Sequence, residues 1–231
     1  MHPSRPVHPT AAPPESSLLP VFLTHAGRAR ELAAALEESG TPVTLVAGGS
    51  SPVGLPPLTR LEVESGQLAA TRRSLRELLE ERPDLLPRFG TELVGEDYQL
   101  RPSAYVLLRD PEGRLALARQ PLGDFLIGGG IEPGESAEEA VLREAVEEVG
   151  LRLEVGDYLG CAEELLLSPR YGVPFQKRCH FFGARILGTA PAVEDDHQLV
   201  WEPPQQLLRG LFHQAHRWAV ALFELGAGRA C

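Results

Sequence analysis

Apolar residues recur along this chain in two rhythms: short runs with strand character and longer stretches with helical spacing. In the N-terminal third, "LLPVFL" at 18–23, "VTLVA" at 43–47 and "LTRLEV" at 58–63 read as strands. Helices are predicted over 27–39, closed by Gly40, and over 69–82, stopped by Pro83. The strand–helix–strand spacing predicts a right-handed crossover. Further on, strands at 103–110 and 115–120 flank "PEG", a hairpin turn signal. Residues 151–167 supply more strand, 177–187 read as a central strand, and 197–203 as another. From Pro204 a last helix is expected, with Leu207, Leu208, Leu211, Ala215, Trp218 and Leu222 at helical spacing. The pattern is α/β: a Pro-rich lead at 1–17, a small α/β unit at 18–85 whose role the sequence does not reveal, and a larger region beyond.

The densest information lies between 128 and 151. Three glycines, 128–130, let the backbone approach another group closely. Ser136 and Glu139 form an S-x-x-E capping box, so a helix should start near Ala137, and Gly150 sits where a left-handed residue would end it. At about 100° per residue, Glu144, Glu147 and Glu148 share one face, while Val141, Leu142, Ala145 and Val149 form a separate apolar one. Arg143 stands four residues before Glu147, within pairing distance. Carboxylates gathered this closely need positive compensation, and hard oxygen ligands suit Mg²⁺ or Mn²⁺.

A solvated acidic helix face would explain three glutamates. It would not explain Gly129, Glu135, Arg143, Gly150 and Leu151 at their spacings. The run resembles the Nudix box, G-x5-E-x7-R-E-U-x-E-E-x-G-U, with Ala145 as a soft departure at the first aliphatic position. "DFLIGGG" leads into it, with Ile127 where similar sequences often carry proline. The resemblance covers 89–225 and implies a Nudix hydrolase domain, an α/β/α sandwich around a mixed sheet. The activity implied is metal-dependent attack of water on a pyrophosphate bond of a nucleotide. Carried over, Glu144, Glu147 and Glu148 are the main metal ligands, with the Gly129 carbonyl and Glu135 supporting, and Arg143 orienting a ligand. The general base is either Glu144 or an acid of the later cluster Glu194, Asp195 and Asp196, with Glu163 and Glu164 as weaker candidates. The stretch from Glu194 to the last helix resembles bacterial members related to the 8-oxo-dGTP diphosphatases.

Composition narrows the partners. A formal net charge of −10 argues against a general nucleic-acid or anionic-membrane binder, and no apolar stretch approaches a membrane span. Cys161, Cys179 and Cys231 show no metal spacing and read as reduced thiols of a cytoplasmic protein. Candidate substrate contacts are Arg119, at the end of a strand, and Lys177 with Arg178, near Tyr171 and Phe175. Trp201 and Trp218 read as core; His197, His213 and His216 show no metal-partner pattern, and "HQAHRW" at 213–218 reads as helix surface or packing. "GGSSPVG" at 48–54 reads as a connecting loop, since it lacks both the GxGxxG and the Walker spacing. The expected partner is a small nucleotide, and dimers are common in folds of the kind implied, so a homodimer is also an expectation. Two other readings stand beside nucleoside di- or triphosphate hydrolysis: ADP-ribose or dinucleoside polyphosphate cleavage, and a silent nucleotide-binding regulator. A further role for the N-terminal unit is to dock a partner.

Overall fold

The computed structural model describes residues 18–47, 55–169 and 171–227; the lead at 1–17 and the loop at 48–54 lie outside the described residues. The N-terminal elements are β1 (Leu18–Thr24), α1 (Ala26–Glu38), β2 (Thr44–Val46), β3 (Thr59–Glu64) and α2 (Leu68–Glu81). Their sheet has the order β1-β3-β2, with β3 antiparallel to both neighbours. The α1 crossover therefore joins strands that are parallel but not adjacent, because β3 inserts between them.

The second part contains β4 (Arg88–Gly90), β5 (Gln99–Leu107), β6 (Leu115–Gln120), β7 (Gly123–Phe125), β8 (Ile127–Gly130), α3 (Ala137–Val149), β9 (Leu151–Leu167), β10 (Pro174–Thr189), β11 (Gln198–Glu202), α4 (Pro204–Gly210) and α5 (Gln214–Ala227). A mixed five-stranded sheet runs β4-β9-β10-β5-β8, with the expected central strand, β10, in its middle. A smaller sheet runs β11-β6-β7. The hairpin expected around "PEG" is splayed: β5 and β6 enter different sheets and meet only at the bridge between Arg109 and Leu115.

Side-chain alternation along β5 builds the layers. Ala104, Val106 and Leu108 join Ala140, Val141 and Ala145 of α3 in one core cluster. Tyr105 and Leu107 face the other way, into a cluster with Trp218 and Leu222 of α5. The result is an α/β/α sandwich. Leu142 departs from the expected apolar face and is exposed, while Ala140 takes its place in the core. Trp201 packs partly buried against the α3-side cluster.

The expected single C-terminal helix is two. Residues 211–213 leave the helix because they pair with β7: Phe212 donates its N–H to the Asp124 carbonyl at 2.9 Å, and Leu211 bridges to Asp124. The second segment restarts where the Glu164 carboxylate accepts the Ala215 N–H at 2.9 Å, satisfying a donor of the helix start.

The N-terminal elements share the α5-side core. Phe22 of β1 meets Trp218 edge-on with ring centroids 5.5 Å apart, and the Trp218 indole N–H donates to the Leu23 carbonyl at 2.9 Å. On the opposite flank, Arg76 of α2 donates to Glu138 at 2.6 and 3.3 Å, reaching the first turn of α3. Trp218 is fully buried, so truncation should be severe. Trp218→Ala is expected to cost about 3–5 kcal/mol and to lower Tm by roughly 10 °C or more in calorimetry. Because the core is shared, the melt should stay a single transition. A separate N-terminal transition in either protein would count against the shared core.

Candidate active site

Helix α3 forms where its sequence sets the boundaries. Ser136 Oγ accepts the Glu139 N–H at 3.2 Å while Glu139 accepts the Ser136 N–H at 2.8 Å, the reciprocal capping box. Gly150 ends the helix with φ +65°, and a Cβ there would lie 2.3 Å from the Ala190 carbonyl oxygen. That frame turns Arg143, Glu144, Glu147 and Glu148 towards the glycines of β8.

Arg143 organises the carboxylates. Its Nε and Nη2 hold Glu135 at 2.9 and 3.0 Å, its Nη1 holds Glu144 and Glu147 at 2.9 and 3.0 Å, and its Nη2 also meets the Gly130 carbonyl at 3.0 Å. All five guanidinium N–H groups are thereby used. The pairing holds Glu135 below the usual carboxylate range, with Arg143 as the main cause and the Glu132 N–H adding to it. It also pushes Arg143 further above its ordinary value.

Glu144 and Glu148 stand differently. Glu148 is only 5% exposed, and it accepts the Gly128 N–H at 2.9 Å. Burial raises the pKa of both groups, and for Glu144 the nearby Glu148 and Glu147 carboxylates add to the rise. The glycines are required by the close approach. Gly128 has φ +132°, and a Cβ there would stand 2.2 Å from the Ala104 carbonyl oxygen; at Gly129 it would fall 2.4 Å from Glu144 Oε1.

The loop before β11 closes the site. Val193 and Glu194 both donate their N–H groups to the Glu147 carbonyl at 2.9 Å, using one of the free carbonyls at the end of α3. His197 then sits between acids: its Nε2 is 3.3 Å from Glu148, and its Nδ1 is 2.9 Å from both Glu194 and Asp196. The hydrogen bond to Glu148, with the charges of Glu148, Glu194 and Asp196, raises its pKa to about 9 despite burial. Ligand atoms of Glu148, Glu194 and His197 all lie within 4.8 Å of one another, close enough to hold a cation.

These groups form one end of a cleft of about 430 Å³ that also includes Arg101, Ser103, Tyr105, Gln120, Phe125, Tyr171, Lys177 and His213. Lys177 Nζ donates to the Tyr105 hydroxyl at 2.7 Å and lies 3.2 Å from His213 Nε2. Glu164, 3.3 Å from His213 Nδ1, fixes that ring; burial works the other way, yet His213 and the Ala215 N–H keep this carboxyl below the usual range. Beyond Lys177 a smaller hollow of about 160 Å³ is walled by Leu122, Phe175 and Phe212.

Of the residues singled out from sequence, Gly129, Glu144, Glu148, Glu194 and Lys177 meet in the cleft, with Glu135, Arg143 and Glu147 in the ion lattice beside it. Arg119 stands apart, clamping Asp124 across the β6–β7 hairpin at 2.7 and 2.9 Å. Arg178 falls on the opposite face of β10 from Lys177 and binds Glu163 at 2.9 and 3.2 Å. Glu163 is in turn fully buried and engaged by Arg88 and Gln176. Among the histidines, His197 is the correction: it stands with Glu148 and Glu194 in a group close enough to hold a cation. His213 also lines the cleft, while His216 is buried in the core and accepts the Leu126 N–H at 3.2 Å. The acid run leading into His197 was the available signal. Arg101, Ser103 and Tyr105, at alternate positions of one strand, were another.

The Nudix domain family matches residues 99–223, more than half of the chain. An RNA pyrophosphohydrolase from Erythrobacter litoralis (strain HTCC2594) is 32% identical over 99 residues, 40% of this chain and 58% of that relative. Among solved structures, the E. coli ORF135 protein is 26% identical with a TM-score of 0.46, covering 58% of this chain and 96% of its own. The MutT protein from Methanosarcina mazei Go1 is 20% identical with a TM-score of 0.46, covering 58% of this chain and 99% of its own. By the domain match, the chain belongs to the Nudix hydrolase family.

Proposed function

We propose that this protein is a divalent-metal-dependent pyrophosphohydrolase that cleaves a nucleoside di- or triphosphate, or a related nucleotide derivative. The observation that carries the reading is the convergence of two carboxylates on the glycines of β8: buried Glu148 accepts the Gly128 N–H, half-buried Glu144 lies against Gly129, and burial raises the pKa of both. An oxygen-rich set of this kind fits Mg²⁺ or Mn²⁺. Glu144, Glu147 and Glu148 would hold it, with the Gly129 carbonyl beside them. Such an ion, when bound, neutralises phosphate oxygens and lowers the pKa of water.

The chain's own groups then divide the work. Arg143 holds Glu135, Glu144 and Glu147 in place through four of its hydrogen bonds, the fifth going to the Gly130 carbonyl. Glu194, about half exposed and lining the cleft beside His197, is suited to take the proton from the attacking water. Arg101 and Lys177 offer donors to phosphate or to base carbonyl groups, and Phe125 offers a ring to the base. The name of the Erythrobacter relative supports including 5′-triphosphorylated RNA among the substrates tested.

The test is product analysis with Mg²⁺ or Mn²⁺ against canonical and oxidised nucleoside triphosphates, ADP-ribose, diadenosine polyphosphates and triphosphorylated RNA. Glu144→Gln should lower turnover at least about 100-fold, since losing even a group that only supports a ligand costs 10–100-fold. The same variant should melt higher than the wild type in EDTA near neutral pH. The sign follows from the raised pKa: an acid that is harder to ionise in the fold loses stability as pH rises above its ordinary value. Wild-type turnover in the variant would remove Glu144 from the metal site. Nucleotide binding without any turnover in the wild type would favour the silent regulator.

His197 gives a second outcome. Its folded pKa of about 9 exceeds its ordinary 6.5, so its stabilising charge is complete below pH 6.5 and is lost as pH rises through 9. In EDTA, the wild-type Tm should fall between pH 7 and 9.5 and His197→Gln should flatten that slope. Equal slopes for the two proteins would contradict the charged imidazole.

A further inference from the structure

A second cavity, of about 690 Å³, shares no lining residue with the catalytic cleft. It opens where α2 and the end of α5 meet β9 and β10. Its floor is a bulge: Phe182 pairs with Tyr158 and Ala184 with Val155, so Gly183 alone stands opposite Gly156 and Asp157. A Cβ on Gly183 would meet nothing nearer than the Asp157 carbonyl oxygen at 3.9 Å and the Phe223 ring at 4.0 Å, so the bulge leaves open space above it. Leu68, Leu159 and Phe223 make much of the wall apolar.

One cation on this wall is poorly compensated. The Arg72 side chain is 13% exposed, and its Nη1 donates to Asp157 at 2.8 Å, but Asp157 is itself 71% exposed. The Arg72 Nε is shut off from solvent and has no hydrogen-bond acceptor among the described residues. The Nε is closed off from the cavity as well, so what Arg72 can offer a ligand is its terminal amino groups, whose carboxylate partner is screened by solvent and offsets burial only in part. Burial accordingly outweighs Asp157 and makes Arg72 less basic than usual. Arg109 and Arg185 also line the cavity, but each has its own carboxylate, Glu224 and Glu154, so Arg72 with its exposed partner Asp157 is the cation of interest.

We propose that this cavity binds a small amphipathic anion, its apolar body against Leu68, Leu159 and Phe223 and its single carboxylate or phosphate on Arg72. The ligand would bridge the N-terminal unit and the sheet, at a distance from the pyrophosphatase chemistry.

The proposal is tested by calorimetric titration of the full chain in EDTA with 1-naphthoate, 1-naphthyl phosphate and neutral 1-naphthol. At least one of the two anions should bind at least about 10-fold more tightly than naphthol, the scale of a hydrogen bond to a charged group. The tighter anion identifies the ligand as a carboxylate or a phosphate ester. Arg72→Gln should weaken anion binding by about the same factor, and Asp157→Asn, a change at an exposed position, should strengthen it by freeing Arg72. Gly183→Leu should abolish binding by filling the floor. Naphthol binding as tightly as both anions, or anion binding that survives Gly183→Leu, would overturn the proposal. So would wild-type anion affinity in Arg72→Gln. None of these readouts depends on nucleotide turnover.

Discussion

The hydrogen bond from the Gly128 N–H to the Glu148 carboxylate, 2.9 Å long and buried, is the constraint from which the site is built. It ties strand β8 to helix α3 at the point where both must come close, and only a glycine at 128 allows the strand to lie so near the Ala104 carbonyl. With that contact fixed, Glu144 falls against Gly129, Arg143 reaches the Gly130 carbonyl, and the end of α3 presents its Glu147 carbonyl to the loop carrying Glu194. Charge follows from the same geometry. Glu148 cannot be solvated where it lies, so it draws on a backbone dipole and on the proton of His197. The site is thus assembled around negative charge that the protein alone compensates only in part.

The N-terminal elements extend that construction. Trp218, on the helix covering one face of the sheet, is held by Phe22 and the Leu23 carbonyl, and Arg76 touches the first turn of the helix carrying the glutamates. A segment that could have been a tethered module instead covers part of the core and leans on both outer helices. Its interface is also where the second cavity opens, bounded by Leu68 and Arg72 on one side and Gly183 and Phe223 on the other.

What was legible in the sequence was whatever depends on local rules. The ends of α3 could be read because a capping box and a left-handed glycine act within one turn of helix. The lattice around Arg143 was legible in part, since its spacing to Glu147 is helical, whereas its bonds to Glu135 and Gly130 cross a loop. Pairing between distant segments was not legible. His197 gains its role from Glu148 across a loop, and the break in the last helix comes from Asp124 of β7, some ninety residues earlier in the chain. Strand alternation separated Lys177 from Arg178, sending one to the cleft and the other to Glu163, although the two are adjacent and alike in charge.

Glu163 and Glu164 make the same point from the acidic side. As neighbours on β9 they point to opposite faces. Glu163 is consumed by Arg88, Arg178 and Gln176, while Glu164 starts α5 and orients His213. Because Glu164 holds both the helix start and the imidazole beside Lys177, the break in the C-terminal helix is part of how the cleft is made. An unbroken helix would carry no free Ala215 N–H for Glu164 to accept. The ring that meets Lys177 would then lose its fixed tautomer, with Nδ1 donating to Glu164 and Nε2 accepting from the ammonium. The strand pairing that interrupts the helix at 211–213 and the polar wall of the cleft are therefore one structural feature, joined through a single buried carboxylate.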